Sequence, residues 1–328
     1  MKAIALFSGG LDSTLAVKVM QQQGIEVVVL HFVTPFGSSA NEEELRPWLD
    51  KNEKQMGVQI KPIFLKDEFL AILANPRFGH GKNINPCIDC KILMLKKAKS
   101  MMQELGAGFL ITGEVMGQRP MSQRREALDV IENVAGVRGL LLRPLCAKHL
   151  RPTIPETEGW VDRNRLLGFW GRGRNQQFKL AQELGVVDYA QPSGGCALTE
   201  KSFSDRVQEL IRHKELNYDN CRLLKVGRHF RLTPEFKLVV GKDEKSNIKV
   251  KAMVKPGDLY FEPKELAGPS ALGRGVWDEE VKSLACRIIA RYTDSSDGFA
   301  EIVARQDDKQ EIIRAEILDK EKVKGFLV

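Results

Sequence analysis

Lys2-Ala3-Ile4-Ala5-Leu6-Phe7-Ser8-Gly9-Gly10-Leu11-Asp12-Ser13-Thr14-Leu15-Ala16-Val17-Lys18-Val19-Met20 decides how this chain is read. The apolar run Ala3–Phe7 reads as a buried strand, and Thr14–Met20 reads as a helix. The turn between them is rich in glycine, so its backbone N–H groups face outward toward an anion. The helix N-terminus adds a partial positive charge. Gly9 and Gly10 let the backbone approach phosphate oxygens, while Ser8 and Ser13 add hydroxyl donors. Asp12 is out of place in a plain anion cradle. A carboxylate repels phosphate unless a divalent cation lies between them. The plain alternative is a tight turn with an ordinary helix cap.

The pattern repeats outward from this stretch. Strands are expected at 2–7, 26–32, 59–64, 108–112 and 140–142, with helices at 13–23, 41–56, 87–105 and 175–184. Alternation of this kind predicts an α/β fold built on an open, doubly wound parallel sheet. Such sheets bind ligands at the carboxyl ends of their strands. The Ser8 loop lies at one such end, Thr112-Gly113-Glu114 follows another, and Arg143-Pro144-Leu145 a third. Beyond Arg212 the pattern changes. Residues 213–220 read as a polar connector. Strands are then expected at 222–225, 229–232, 237–240, 248–254 and 258–261, a helix at 279–292, and strands at 299–305 and 311–316. The expected organisation is therefore a domain over 1–212, a connector over 213–220 and a smaller α+β domain over 221–328.

Bulk properties bound the function. The 328 residues suffice for two domains, and 43% hydrophobic with 28% charged residues describes an ordinary globular chain. No apolar run is long enough to span a bilayer, so no membrane partner is expected. The first strand starts almost at Met1, so no secretory leader is expected and a cytoplasmic location follows. A net charge of +7 favours a polyanionic partner. Six cysteines in such a chain argue for metal, cluster or redox chemistry over a disulfide framework.

Asn85-Pro86-Cys87-Ile88-Asp89-Cys90-Lys91 carries the paired thiols. Pro86 disfavours helix just before them, and Leu93, Leu95 and Ala98 follow at helical spacing. The thiols thus sit at a helix N-terminus, whose dipole favours the reactive thiolate. A third thiol lies in Pro192-Ser193-Gly194-Gly195-Cys196, where the glycines let the loop bend close to another backbone. Three readings are open. Cys87, Cys90 and Cys196 hold a [4Fe–4S] cluster with one iron free of protein ligand. They form a persulfide and a resolving thiol. Or they bind a structural zinc with a fourth ligand such as His80. The plain alternative is a chance pair and a buried thiol, which is the default for Cys146, Cys221 and Cys286. A third stretch, Thr112-Gly113-Glu114-Val115-Met116-Gly117-Gln118-Arg119-Pro120-Met121-Ser122-Gln123, follows an apolar strand. Gly113 and Glu114 sit at its ligand-binding end. Gln118, Ser122 and Gln123 offer hydrogen bonds to a base, a ribose or RNA.

Ser-Gly-Gly-x-Asp-Ser resembles the PP-loop of ATP pyrophosphatases, which adenylate a carbonyl oxygen and release pyrophosphate. Taken with Asn85–Cys90 and Gly194–Cys196, the chain resembles the PP-loop tRNA thiolation enzymes over residues 1 to about 205. The 4-thiouridine synthetases (ThiI) and 2-thiouridylases (MnmA) belong to this group, and the Thr112–Gln123 stretch is nearer the ThiI side. The resemblance implies ATP and Mg²⁺ at Ser8, Gly9, Gly10, Asp12, Ser13, Gly113 and Gln118. It implies catalytic roles for Asp12, Cys90 and Cys196. It resembles the cluster-dependent thiolases, in which three cysteines ligate a [4Fe–4S] cluster, here Cys87, Cys90 and Cys196. Its implied partner is tRNA, with sulfide or a cysteine desulfurase as sulfur source and a homodimer as the assembly.

No stretch resembles the THUMP-containing or rhodanese regions of ThiI, so sulfur is expected to come from elsewhere, such as sulfide on the open iron. Residues 220–328 resemble instead the RNA-binding domain of NFACT proteins. Val226–Arg231, Val239–Asp243, Pro256–Tyr260 and Gly268-Pro269-Ser270 carry that match. Arg119, Arg124, Arg125, Arg172 and Arg174, with Lys225, Arg228, His229, Arg231 and Lys242, are the basic residues expected to meet phosphate. Two other functions remain open on the residues: a redox-sensing RNA-binding module, and a PP-loop enzyme that amidates.

Overall fold

The computed structural model describes residues 1–37, 39, 41–189 and 196–328, and its contacts divide the chain into Met1–Thr199 and Glu200–Val328. In chain order the first unit contains Lys2–Leu6 (β1), Leu11–Gln21 (α1), Glu26–Val33 (β2), Glu42–Met56 (α2), Ile60–Phe64 (β3), Asp67–Ala74 (α3), Cys87–Ser100 (α4), Met102–Leu105 (α5), Phe109–Thr112 (β4), Arg125–Ala135 (α6), Leu141–Leu142 (β5), Ile154–Thr157 (α7) and Asn175–Glu183 (α8).

Its five strands run in the order β3-β2-β1-β4-β5, and every neighbouring pair is parallel. The expected α/β class is observed. Strand β1 is central and covered on both faces, so Ala3, Ile4 and Ala5 are all buried. The chain leaves β1 toward β2 and returns on the other side as β4. That reversal opens a crevice at the carboxyl ends of β1 and β4. One core, including Leu15, Val29, Leu49, Phe109 and Ile111, packs the helices onto the sheet.

The second unit contains Lys201–Arg212 (α9), Tyr218–Leu223 (α10), Arg228–Thr233 (β6), Phe236–Val240 (β7), Glu244–Ala252 (α11), Leu259–Pro263 (β8), Ala271–Gly275 (β9), Glu279–Ala290 (α12), Phe299–Gln306 (β10), Lys309–Glu316 (β11) and Lys320–Lys324 (α13). Its six strands form one antiparallel sheet, ordered β11-β10-β8-β9-β7-β6. Phe230, Phe236, Phe261 and Ile289 anchor its core.

Several expectations are corrected. The segments 222–225 and 248–254 are not strands: Arg222 and Leu223 end α10, and 248–252 lies in α11. Ile248 and Val250 alternate as in a strand, yet Ile248 is 64% exposed and Val250 is buried. The cap decides it. Asp243 accepts the Ser246 N–H at 2.8 Å, and the Ser246 hydroxyl accepts the Asp243 N–H at 2.9 Å. The helix expected over 87–105 divides at Met101 into α4 and α5. Residues 201–212, expected to close the first domain, instead form helix α9 of the second unit. Its Glu209 pairs with Arg231 and Lys237, and Arg206 donates to the Leu224 carbonyl at 3.0 Å.

Candidate active site

The turn after β1 is built for close approach. Gly9 has φ +78°, a left-handed conformation that favours glycine. A Cβ there would stand 2.4 Å from the indole of Trp48. That indole is itself fixed, lying 4.3 Å from the His31 ring and 5.8 Å from Phe7 between centroids. Gly10 caps α1 without a side-chain bond, so α1 opens directly onto the turn. The two serines brace it. Ser13 Oγ donates to the Gly10 carbonyl at 2.8 Å, its oxygen accepts the Ser8 N–H at 3.3 Å, and the two hydroxyls lie 3.2 Å apart.

The loop after β4 closes on the same point. A Cβ on Gly113 would sit 2.4 Å from the Asp12 carbonyl oxygen, so only glycine admits the loop. Gln118 Nε2 donates to Asp12 Oδ2 at 2.6 Å, and Gln177 of α8 donates to Gln118 Oε1 at 3.1 Å. Arg174 approaches the same carboxylate oxygen at 3.9 Å. The other oxygen, Asp12 Oδ1, is buried without a hydrogen-bond partner among the described residues. An orphaned carboxylate oxygen beside a phosphate-shaped turn suits Mg²⁺, a hard cation that takes oxygen ligands. Ser8, Gly9, Gly10, Asp12, Ser13, Gly113 and Gln118 are thus brought together.

Cys87 and Cys90 occupy the first turn of α4. Burial pushes the Cys90 thiol up to about 12; the Lys91 cation opposes this, and charge on Cys196 or Cys87 adds to it. Burial also raises Cys87, against Lys91, an Asn85 hydrogen bond and Arg119. The expected lowering by the helix dipole is outweighed by desolvation. Cys196 is exposed and acts electrostatically on Cys90, while residues 190–195, including Gly194 and Gly195, lie outside the described residues. Among the described residues no three His, Cys, Asp or Glu side chains are set to hold a metal. The chemistry of the donor set nevertheless fits a cluster: three soft thiols, of which Cys87 and Cys196 both act on Cys90. His80, the zinc alternative, has Nε2 2.9 Å from the Leu73 carbonyl. Cys146, Cys221 and Cys286 are buried.

Sequence reasoning did not assign the ionic link between these two regions. Glu114 is buried on the Gly113 loop. Lys91, next to Cys90, meets its Oε1 at 2.7 Å, and Arg143, after β5, meets its Oε2 at 3.0 Å. Arg143 also pairs with Glu132 of α6. Burial alone would raise the Glu114 carboxyl, but the Lys91 and Arg143 cations hold it at about 2. Position at strand ends was the only sequence signal for Glu114 and Arg143. Trp48 and Gln177 had none.

In the second unit His229 is fully buried, and Arg231 is bound to Glu209 and Glu215, so neither is available to phosphate. Lys242 is exposed, and the Arg228 guanidinium lies over the Tyr292 ring at 4.7 Å. A pocket of about 360 Å³ opens nearby, bordered by Tyr292, Arg291, Lys320 and Lys324.

Comparison with known proteins agrees with this division. Residues 1–151 match the family model described as thiamine biosynthesis protein (ThiI), and residues 227–327 match the NFACT protein RNA binding domain. A probable tRNA sulfurtransferase of Thermococcus kodakarensis is 28% identical over 144 residues, covering 44% of this chain and 36% of the relative. One of Methanothermobacter thermautotrophicus is 31% identical over 199 residues, 60% of this chain and 43% of the relative. The chain thus spans well under half the length of these relatives. A solved 4-thiouridine synthetase–RNA complex with bound ATP is 22% identical, with a TM-score of 0.40, covering 67% of this chain and 53% of that one. The segment 152–226, with Cys196, lies outside both matched spans. The chain is thus similar to ThiI over residues 1–151 and to the RNA-binding domain of NFACT proteins over residues 227–327.

Proposed function

We propose that this protein is an ATP-dependent tRNA uridine sulfurtransferase, making 4-thiouridine or 2-thiouridine. The observation that carries the reading is the convergence on Asp12, where a glycine turn after β1 and the Gly113–Gln118 loop after β4 meet at the sheet's crevice. The similarity of residues 1–151 to ThiI and of 227–327 to an RNA-binding domain supports the substrate. Ser8, Gly9, Gly10 and Ser13 receive the phosphates of ATP, and Asp12 holds the Mg²⁺ that screens its own charge from them. Gly113 and Gln118 border the nucleotide. The uracil carbonyl oxygen attacks the α-phosphorus, and pyrophosphate leaves toward the loop amides. A sulfur nucleophile then adds at the activated carbon, and AMP departs with the original oxygen. The target base must leave its stack to reach the crevice.

Cys87, Cys90 and Cys196 would hold the [4Fe–4S] cluster, which when bound supplies an open iron for sulfide. The alternative carrier is a persulfide on Cys90 or Cys196. Sulfide supplies the sulfur on the cluster route, and a cysteine desulfurase, handing over the outer sulfur of its own persulfide, supplies it on the persulfide route; a homodimer is the expected assembly. The test is anaerobic incubation with unmodified tRNA, ATP, Mg²⁺ and sulfide, followed by nucleoside mass spectrometry and pyrophosphate assay. Asp12→Asn is expected to cut pyrophosphate release by about a hundredfold, as for loss of one charge-stabilising group. Cys196→Ala is expected to abolish thiouridine while ATP binding survives. Binding of tRNA with no pyrophosphate release by the wild type would point instead to an RNA-binding module without transferase activity.

A further inference from the structure

Trp170 lies in the segment that neither family model covers, and it is 58% exposed. Its indole therefore presents a broad, rigid face with a polar edge, the kind of surface another flat ring can cover. Its position is fixed. The Phe169 N–H donates to the Leu145 carbonyl at 2.8 Å, and the Gly171 N–H donates to the Met116 carbonyl at 2.9 Å. Residues 116 and 170 pair as a parallel bridge, so the segment bearing the indole is held against the loop whose Gln118 binds Asp12. A Cβ on Gly117 would lie 3.6 Å from the indole, so the two loops are in close contact. His149 stands edge-on to the ring, 5.3 Å between centroids, and Arg125 donates to the His149 carbonyl at 2.7 Å. Arg172 is exposed two residues along, and Arg174 reaches toward Asp12.

A rigid, exposed aromatic ring with cations beside it is the arrangement that binds a single-stranded nucleic acid: the base stacks and the cations meet the flanking phosphates. We propose that Trp170 is a stacking platform for an unpaired base of the tRNA, holding the strand while its neighbouring target uridine enters the crevice. This rests on the tRNA reading above and adds a positioning residue to it. The base belongs to RNA because the arginines at 125 and 172 supply cations for a chain of phosphates, whereas the phosphates of ATP are met at Gly9 and Gly10.

The experiment titrates the full chain with unmodified tRNA and, separately, with ATP, reading tryptophan fluorescence and the two dissociation constants. The wild type is expected to lose fluorescence with tRNA and to keep it in Trp170→Phe, from which the reporting ring is gone. Trp170→Ala is expected to weaken tRNA binding about tenfold, as for loss of one stacked base, and to leave ATP affinity unchanged. Trp170→Phe retains most of the affinity. Photo-crosslinking of the wild type to tRNA is expected to tag the peptide containing Trp170. Unchanged tRNA affinity in Trp170→Ala overturns the proposal, as does an ATP-induced quench seen in the wild type and lost in Trp170→Phe, or a crosslink confined to other peptides. Wild-type protein that binds no tRNA overturns the broader reading with it. Wild-type binding with an indifferent Trp170→Ala overturns the platform alone.

Discussion

Glu114 shows what a single buried charge demands. Buried in the protein, its carboxylate is held by Lys91 and Arg143, and losing one member of such a set strands the others. Its carboxyl falls from an ordinary 4.5 to about 2 on folding. A depressed carboxyl stabilises the folded state above its unfolded value, and that contribution drains away as pH falls from about 4.5 toward 2. By the usual conversion of pKa to free energy it amounts to about 3 kcal/mol. Glu114→Gln is expected to lower stability near neutrality by about that much and to flatten the acid limb between pH 4.5 and 3. Urea denaturation at intervals of pH checks both, and equal acid limbs for the two proteins would refute the account.

At the scale of elements, the site depends on how closely the loop after β4 approaches the start of α1. Gly113→Ala would put a methyl carbon 2.4 Å from the Asp12 carbonyl oxygen, and backbone does not swing aside as a side chain does. The start of α1 must shift, which is expected to weaken ATP binding at least about tenfold. Calorimetric titration measures this, and an unchanged dissociation constant would show that the approach is dispensable. The elements themselves were unevenly legible. β1 and β2 follow from apolar runs because a parallel sheet buries both faces of its inner strands, whereas β3, at the sheet edge, buries only Ile60. β9 does not follow from such a run: its Gly273 must lack a side chain to clear Phe236, whose Cζ would stand 2.4 Å from a Cβ, and with Gly273 and Gly275 among its five residues the strand carries little hydrophobic signal. The strand reading of 248–254 failed because period-two alternation there was incidental and the capping residues lay upstream. At the site, the turn and the thiols are local motifs. The Lys91–Glu114–Arg143 link joins three separate segments, and no single stretch of sequence announces a contact of that range.

Across the whole molecule, each unit has its own sheet and core, and each carries its own response to acid. His229 in the second unit is lowered well below its ordinary 6.5 by burial and by the Lys237 and Arg206 charges. The unfolded chain therefore takes up a proton below about 6.5 while the folded one does not. Stability from this residue is present above that value and is lost as pH falls. The second unit is expected to weaken from about pH 6.5 downward, well above the window in which Glu114 acts. Hydrogen exchange on the full chain, read at β6 and β7 at pH 7 and pH 5.5, tests this. His229→Phe is expected to remove the dependence, and exchange equally pH-sensitive in that variant would refute the assignment.

The contact between Gly9 and Trp48 also limits the order in which this sequence can change over generations. The indole is wedged against His31 and Phe7, so it cannot turn away from a new side chain at position 9. A lineage that first replaced Trp48 with a smaller residue would open room beside the turn. One that first replaced Gly9 would meet both the ring and a left-handed backbone at once. Descent through this pair therefore has a direction: position 48 must yield before any side chain fits at position 9, and the left-handed backbone there still restricts which ones do.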